Sequence, residues 1–439
     1  MSQPLEDALL AAGPPPAPLD TDQVHARRAI EALRAGVPNR DAVRALSSHQ
    51  PQVEARFRQQ LDALPQDGRE GRATPGLLLA GDFGAGKSHL LAHLEQIALD
   101  ERAVCSHVVI SKETPLHDPA RVFRAAVGSM VVPGTRGSPL VEIASSLNPD
   151  SPEYAALAHW VSRPDVGLNS RFAATLFLYQ QVKDPEIRDR ILSLWAGDPL
   201  NVSQVRSWLR ALGERATYRL ESIPARELAL QRARFLARVT LAAGYNGWVV
   251  LFDEVELIGR YSLKQRARSY ADLARWAGRL KGETIPGLAA VFAITTDFDA
   301  AVLQDRGDME AVPGKLRATG VDADQKLASR AEQGMRMIAR EAVRLRGADR
   351  ATLEGTRQEV RALHAQAYRW DPPDMDAGER LSTTRMRQYV RRWINEWDLK
   401  RLYPDYVPAT VVAELHTDYS ERPELEVPAE TSPGAEEPA

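Results

Sequence analysis

Gly81-Asp82-Phe83-Gly84-Ala85-Gly86-Lys87-Ser88 meets the pattern G-x-x-x-x-G-K-[ST]. Glycines at these places let the backbone curl until successive N–H groups point at phosphate oxygens, and a helix opening near Lys87 adds the positive end of its dipole. The pattern assigns Lys87 to the β- and γ-phosphates of a nucleotide and the Ser88 hydroxyl to Mg²⁺. The nucleotide-contacting stretch is expected to run from Gly81 to His89, with His89 itself a packing residue at the helix start. A second cluster, Trp248-Val249-Val250-Leu251-Phe252-Asp253-Glu254, is an apolar run that ends in two acids. At the carboxyl end of a buried strand, Asp253 would hold the metal shell while Glu254 polarises an attacking water, a division of labour that suits phosphoryl transfer. The two clusters together predict a Walker A loop paired with Walker B acids, and ATP with Mg²⁺ as ligands.

The elements that must position these residues are legible in the same way. Pro75 to Ala80 is a short apolar run leading into the glycine loop, the mark of a strand covered on both faces of a parallel sheet. After the loop, Leu90, Leu91, Leu94, Ile97 and Ala98 have helical spacing, and 104–110 reads as a second strand. The stretch 111–247 is far longer than the usual α/β connection, so it must hold structure of its own. Helical patterns over 154–161, 170–182, 185–195, 202–212 and 225–243 predict a helical insertion before the strand 248–252. A helix over 262–280 and a strand over 289–294 follow. Further helices are expected over 326–345, 353–367 and 384–397, the last with a stripe of Met386, Tyr389, Val390, Trp393 and Trp397. Before the loop, helices are expected from Asp22 to Ala35, after a cap at Asp41, and over 53–64. Trp276, Trp370, Trp393 and Trp397 read as core.

Composition frames the rest. The chain is 44% hydrophobic and 26% charged, with a formal net charge of −3, as befits a globular chain with more than one core. Arginine clusters recur in the body while the end from Val411 is rich in Glu and Pro, so any nucleic-acid contact has to be local. The single cysteine, Cys105, excludes an intramolecular disulfide framework and fits a reducing compartment. No basic-then-apolar leader or ~20-residue apolar span is present, and a cytoplasmic protein is expected. The expected organisation is a loose arm over 1–21, an α/β nucleotide-binding domain over 22–320 with 111–247 largely helical insertion, a helical lid over 321–408 and a disordered acidic tail over 409–439.

With these residues placed, the chain resembles the BrxD family of ATP-binding proteins in BREX phage-resistance systems. The likeness is carried by Arg27 to Gly36, Gly81 to Leu91, Val108 to Leu116, Leu251 to Ser262, and the helix from Arg385 into Trp397-Asp398-Leu399. The family is similar in plan to origin-recognition AAA+ ATPases. The resemblance implies a three-layer P-loop fold with strand order 5-1-4-3-2 and places Arg27 and Arg28 near the nucleotide base. Ala293-Ile294-Thr295-Thr296-Asp297 resembles the sensor 1 element, with Thr296 favoured and Thr295 and Asp297 as alternatives. Arg385 matches sensor 2, with Arg387 as the fallback. No clean fifth strand is found; Val312 to Gly320 is a weak candidate. Arg260, Lys264, Arg266 and Arg268 would supply an arginine finger to a neighbouring subunit or grip nucleic acid, and Arg391, Arg392, Lys400 and Arg401 form either a solvated face or a DNA contact. The expected activity is an ATPase acting as a nucleotide-driven switch near DNA, with other phage-defence proteins as partners and homo-oligomerisation open. A replication initiator or helicase loader, and a nucleotide-gated scaffold with little hydrolysis, are the alternatives.

Overall fold

The computed structural model describes residues 20–37, 39–135, 137–199, 201–214, 218–347, 349–374, 386–405 and 407. They fall into two compact units, one of residues 48–347 and one that joins the two ends of the described chain, 20–47 with 349–407. Residues 1–19 of the expected N-terminal arm, the acidic tail, and the Ser382-Thr383-Thr384-Arg385 helix start lie outside the described residues, while Asp20 caps and Thr21 opens the first helix.

The larger unit is built on a five-stranded sheet: β1 (Leu77–Ala80), β2 (Val104–Val109), β3 (Trp248–Asp253), β4 (Leu288–Ile294) and β5 (Val343–Arg344). The order is β2-β3-β4-β1-β5, and every pairing is parallel. Parallel strands with helices on both faces are dry on both faces, which is why β3 and β4 read as unbroken apolar runs and are buried throughout. Phe252 and Phe292, neighbours in register on β3 and β4, stack with ring centres 4.7 Å apart. Cys105 is buried on β2, where its backbone exchanges hydrogen bonds with Val131 in an isolated bridge.

The edge strand β5 departs from expectation. Val312 sits in the helix Asp308–Ala318, and the helix expected over 326–345 is Asp322–Glu341, ending in time for Val343 and Arg344 to pair with Leu79 and Ala80. A two-residue strand carries no periodicity for a sequence pattern to show. The compact unit runs past this strand to residue 347.

Between β2 and β3 the described chain is helical, from Pro119–Gly128 through Pro152–Ser162, Arg171–Gln181, Pro185–Ala196 and Val202–Ala211 to Ala225–Ala242. Several of these helices begin with a capping side chain followed by proline. Asp118, Ser151 and Asp184 accept hydrogen bonds from first-turn N–H groups, while Pro119, Pro152 and Pro185 occupy the first position, where a missing N–H costs nothing. Trp195 knits this layer together, donating from its indole to the buried Thr175 hydroxyl at 3.0 Å and meeting the Phe235 ring at 5.1 Å.

The smaller unit is all helical among its described residues: Thr21–Ala35, Arg40–Ala45, Arg350–Tyr368 and Met386–Leu402. Ile30, Val360, Trp393, Ile394 and Trp397 are its core, as the stripe on the last helix predicts. Residues 20–47 pack with 349–407 in this unit. Fully buried His364 lies at its centre: the Trp370 indole donates to Nδ1 at 2.8 Å, so Nε2 carries the proton shared with Asp398 at 3.2 Å.

Close packing of the helices Leu263–Trp276 and Asp322–Glu341 rests on Gly334. A β-carbon there would lie 2.0 Å from the Tyr270 carbonyl oxygen. Gly334→Ala gains ~1 kcal/mol of helix propensity but forces backbone apart, at roughly 1–3 kcal/mol or more. A net loss in melting temperature is expected, read by circular dichroism.

Candidate nucleotide-binding site

The glycine loop joins β1 to the helix Lys87–Asp100. Its turn requires positive φ at Gly84 (79°) and Gly86 (96°), which side chains rarely adopt. Gly81 is needed for a different reason: a β-carbon there would meet Leu345, the residue following β5, at 2.8 Å. The Gly81 N–H donates to Ile294 at 3.0 Å, which extends the β1–β4 ladder into the loop.

Lys87 is 7% exposed. Its ammonium donates to the Gly81 carbonyl at 3.0 Å, so the side chain folds back under the loop. The Ser88 hydroxyl donates to Asp253 Oδ2 at 2.6 Å. Asp253, buried at the end of β3, also accepts the Glu254 N–H on its other oxygen at 2.9 Å, and this two-sided hold fixes its plane. Glu254 takes the left-handed conformation, φ 57° and ψ 34°, costly for a residue with a β-carbon. The kink ends β3 and begins the short 3-10 turn Val255–Arg260. Thr296 follows β4, the strand that lies between β1 and β3 in the sheet, and its hydroxyl donates to the Asp82 carboxylate. Lys87, Ser88, Asp253, Glu254 and Thr296 thus come together at the carboxyl ends of β1, β3 and β4, where open parallel sheets bind ligands.

The donor set fits a magnesium nucleotide. Among the described residues no group of three or more His, Cys, Asp or Glu is placed to hold a metal. A serine hydroxyl beside one carboxylate is the oxygen pair that suits Mg²⁺, which keeps waters and takes its remaining ligands from phosphates.

Two residues near the acids were given no site role from the sequence. Glu256 is 4% exposed, with Oε1 3.6 Å from the Lys87 ammonium, and its Oε2 has no hydrogen-bond partner. Burial pushes the Glu256 carboxyl up to about 7, against the lowering pull of Lys87 and with a further push from Glu254 and Asp253. His107 on β2 places Nε2 4.0 Å from Asp253 Oδ2. The signal for His107 is the strand's period of two: it shares a face with Val109, whose register partner is Asp253.

The other expected residues lie elsewhere. His89 sets its ring edge-on to His93 at 5.0 Å. Arg27, in the helical unit, donates to the Ala367 carbonyl at 2.9 Å and lies over the Tyr368 ring; Arg28 is exposed in the same unit. Arg391 donates to the carbonyls of Arg34 and Ala35 at 2.8 and 2.7 Å, closing the end of that helix. Arg266 is buried in a two-pronged pair with Asp308, at 2.7 and 2.9 Å, and so is unavailable to a neighbouring subunit or to nucleic acid. Lys264 and Arg268 are exposed on an open cleft of about 610 Å³, with Arg226, Arg275 and Arg330 also lining it. Beneath them, buried Asp272 accepts from Arg226 at 2.6 Å and from Arg275, and Glu283 accepts from Arg275 and Arg330.

The family model for the BREX system ATP-binding protein BrxC/D matches residues 22–144 and 214–400. The chain belongs to this BREX ATP-binding family. The match takes in the glycine loop, the acids after β3 and described parts of both compact units, and it omits 145–213, where Pro152–Ser162, Arg171–Gln181, Pro185–Ala196 and Val202–Ala211 lie. Neither a curated protein nor a solved structure matches the chain. No helix among the described residues is long and apolar enough to cross a membrane.

Glu256 gives the site a pH dependence. With its carboxyl raised from 4.5 to about 7, the folded state holds a proton that the unfolded state has released over that interval. Stability of the nucleotide-free protein should therefore fall as pH rises from 4.5 through 7 and level off above, by about 2–4 kcal/mol from this group. Glu256→Gln should lack that component, so its melting temperature should gain on the wild type between pH 5 and 8.

Proposed function

We propose that this BREX family member hydrolyses ATP and uses the cycle as a switch within the phage-defence system. The observation that carries the reading is the contact of Ser88 with Asp253 at 2.6 Å, next to a buried lysine under the loop and a kinked Glu254. Ser88 and Asp253 would hold Mg²⁺, which neutralises phosphate charge when bound. Lys87 would bind the β- and γ-phosphates, Glu254 would orient the water and take up its proton, and Thr296 would donate to the γ-phosphate in place of Asp82.

Lys87→Ala should abolish ATP binding in titration calorimetry, since the loop loses its cation. Glu254→Gln should keep ATP affinity and lower turnover by ~10²–10⁴-fold. Wild-type turnover in that variant would place the base elsewhere, and a wild type that binds ATP without turning it over would leave a nucleotide-gated scaffold.

A role near DNA is favoured by the arginine-lined cleft. Asp272 and Glu283 pin one side of Arg226, Arg275 and Arg330, which holds the guanidinium groups in place, while Arg268 and Lys264, the latter 3.6 Å from Asp324, stand exposed on the same cleft. Such an array suits a phosphate backbone. Lys264→Glu with Arg268→Glu should weaken binding to duplex DNA by fluorescence anisotropy and flatten its dependence on salt, leaving ATP affinity intact. Unchanged DNA binding would remove this surface from the reading.

A further inference from the structure

The glycine loop faces three carboxylates within four residues, and the roles given to Asp253 and Glu254 leave Glu256 unexplained. It is not a surface acid: it is 4% exposed, fixed in the 3-10 turn Val255–Arg260, and one oxygen lies 3.6 Å from the Lys87 ammonium. Its other oxygen is buried without a hydrogen-bond partner. A lone hydrogen-bond deficit of this kind is costly, so a merely structural acid would be better replaced by glutamine or an apolar residue.

We infer that Glu256 is an internal counter-ion that competes with the nucleotide's phosphates for Lys87. The inference rests on the ATP reading of the loop. Lys87 has three N–H donors; one goes to Gly81, and a second faces Glu256. An arriving phosphate must draw the ammonium away from that carboxylate or share it, and it also meets the carboxylate's own negative charge. Both effects weaken binding. When the nucleotide leaves, Glu256 takes the ammonium back, so a buried cation is never stranded without a partner. Glu256 is therefore a positioning residue that lowers affinity and speeds release. It touches neither the reacting atoms nor the metal pair, Ser88 and Asp253.

The test measures ATP and ADP affinity by calorimetry and the release of a fluorescent ADP analogue by stopped flow, using the full chain at pH 8 or above, where Glu256 carries its charge. Glu256→Gln keeps the shape and removes the charge. It should bind ATP about tenfold more tightly, the scale of a charge repulsion over several ångströms at protein-surface screening, and should release ADP correspondingly more slowly. Glu256→Ala should change affinity in the same direction, which guards against an effect peculiar to the new amide. Unchanged or weaker ATP binding in Glu256→Gln would overturn the counter-ion role while leaving the ATP reading standing. A wild type with no saturable ATP binding would overturn both.

Discussion

The hydrogen-bond ladder from β1 across β4 to β3 sets the distances on which the candidate site depends. Ala80 is level with Ile294, and Phe252 is level with Phe292, so the loop after β1 and the acid at the end of β3 emerge on the same edge, one strand apart. Register is enforced by burial. β3 and β4 are covered on both faces, and the stacked pair Phe252 and Phe292 would be thrown out of alignment by a slip of one residue. The Ser88–Asp253 contact joins side chains 165 positions apart in the chain, and it exists because that ladder is fixed.

Charge balance is the second constraint. Lys87 is the cation that folds beneath the loop, opposite Asp253, Glu254 and Glu256. Within this unit the same design recurs on a larger scale, with Asp308 beneath Arg266, and Asp272 and Glu283 beneath Arg226, Arg275 and Arg330. In each case a buried or half-buried acid fixes an arginine or lysine by ion pairing. Pairs of this sort cost desolvation on both sides and contribute more to orientation than to stability. Their value in this fold is that cations are held in place before any ligand arrives.

Much of this was legible in the sequence because the decisive signals are local. Glycine spacing announces the loop, an apolar run ending in acids announces β3, and helical patterning announces the inserted helices. What stayed hidden is non-local or too short. β5 is two residues long, and its pairing with β1 lies more than 260 positions away. The union of 20–47 with 349–407 is likewise made by contacts between chain ends, such as the Arg34 pair with Asp398, that no window of sequence contains. Glu256 follows two acids that already had roles and falls in a turn whose folding inward could not be read from spacing. The burial of Arg266 stayed hidden for a related reason: an arginine in a helix rich in charge looks solvated until Asp308, 42 positions on, is seen to pair with it.

Cys105 gives the molecule a built-in reporter. It is the chain's single thiol, fully buried on β2 between the sheet ladder to β3 and the bridge to Val131, and burial raises its ionisation well above the ordinary thiol range. Thiol reagents attack the thiolate, so labelling has to wait for that edge of the sheet to part and expose the sulfur. The rate of modification then reads the free energy of opening at one known place, without engineered cysteines or competing sites. Because β2 is an edge strand next to β3, that opening is a local event at the far side of the sheet from β5. Alkylation kinetics with and without nucleotide would show how far rigidity at the loop spreads across the strands.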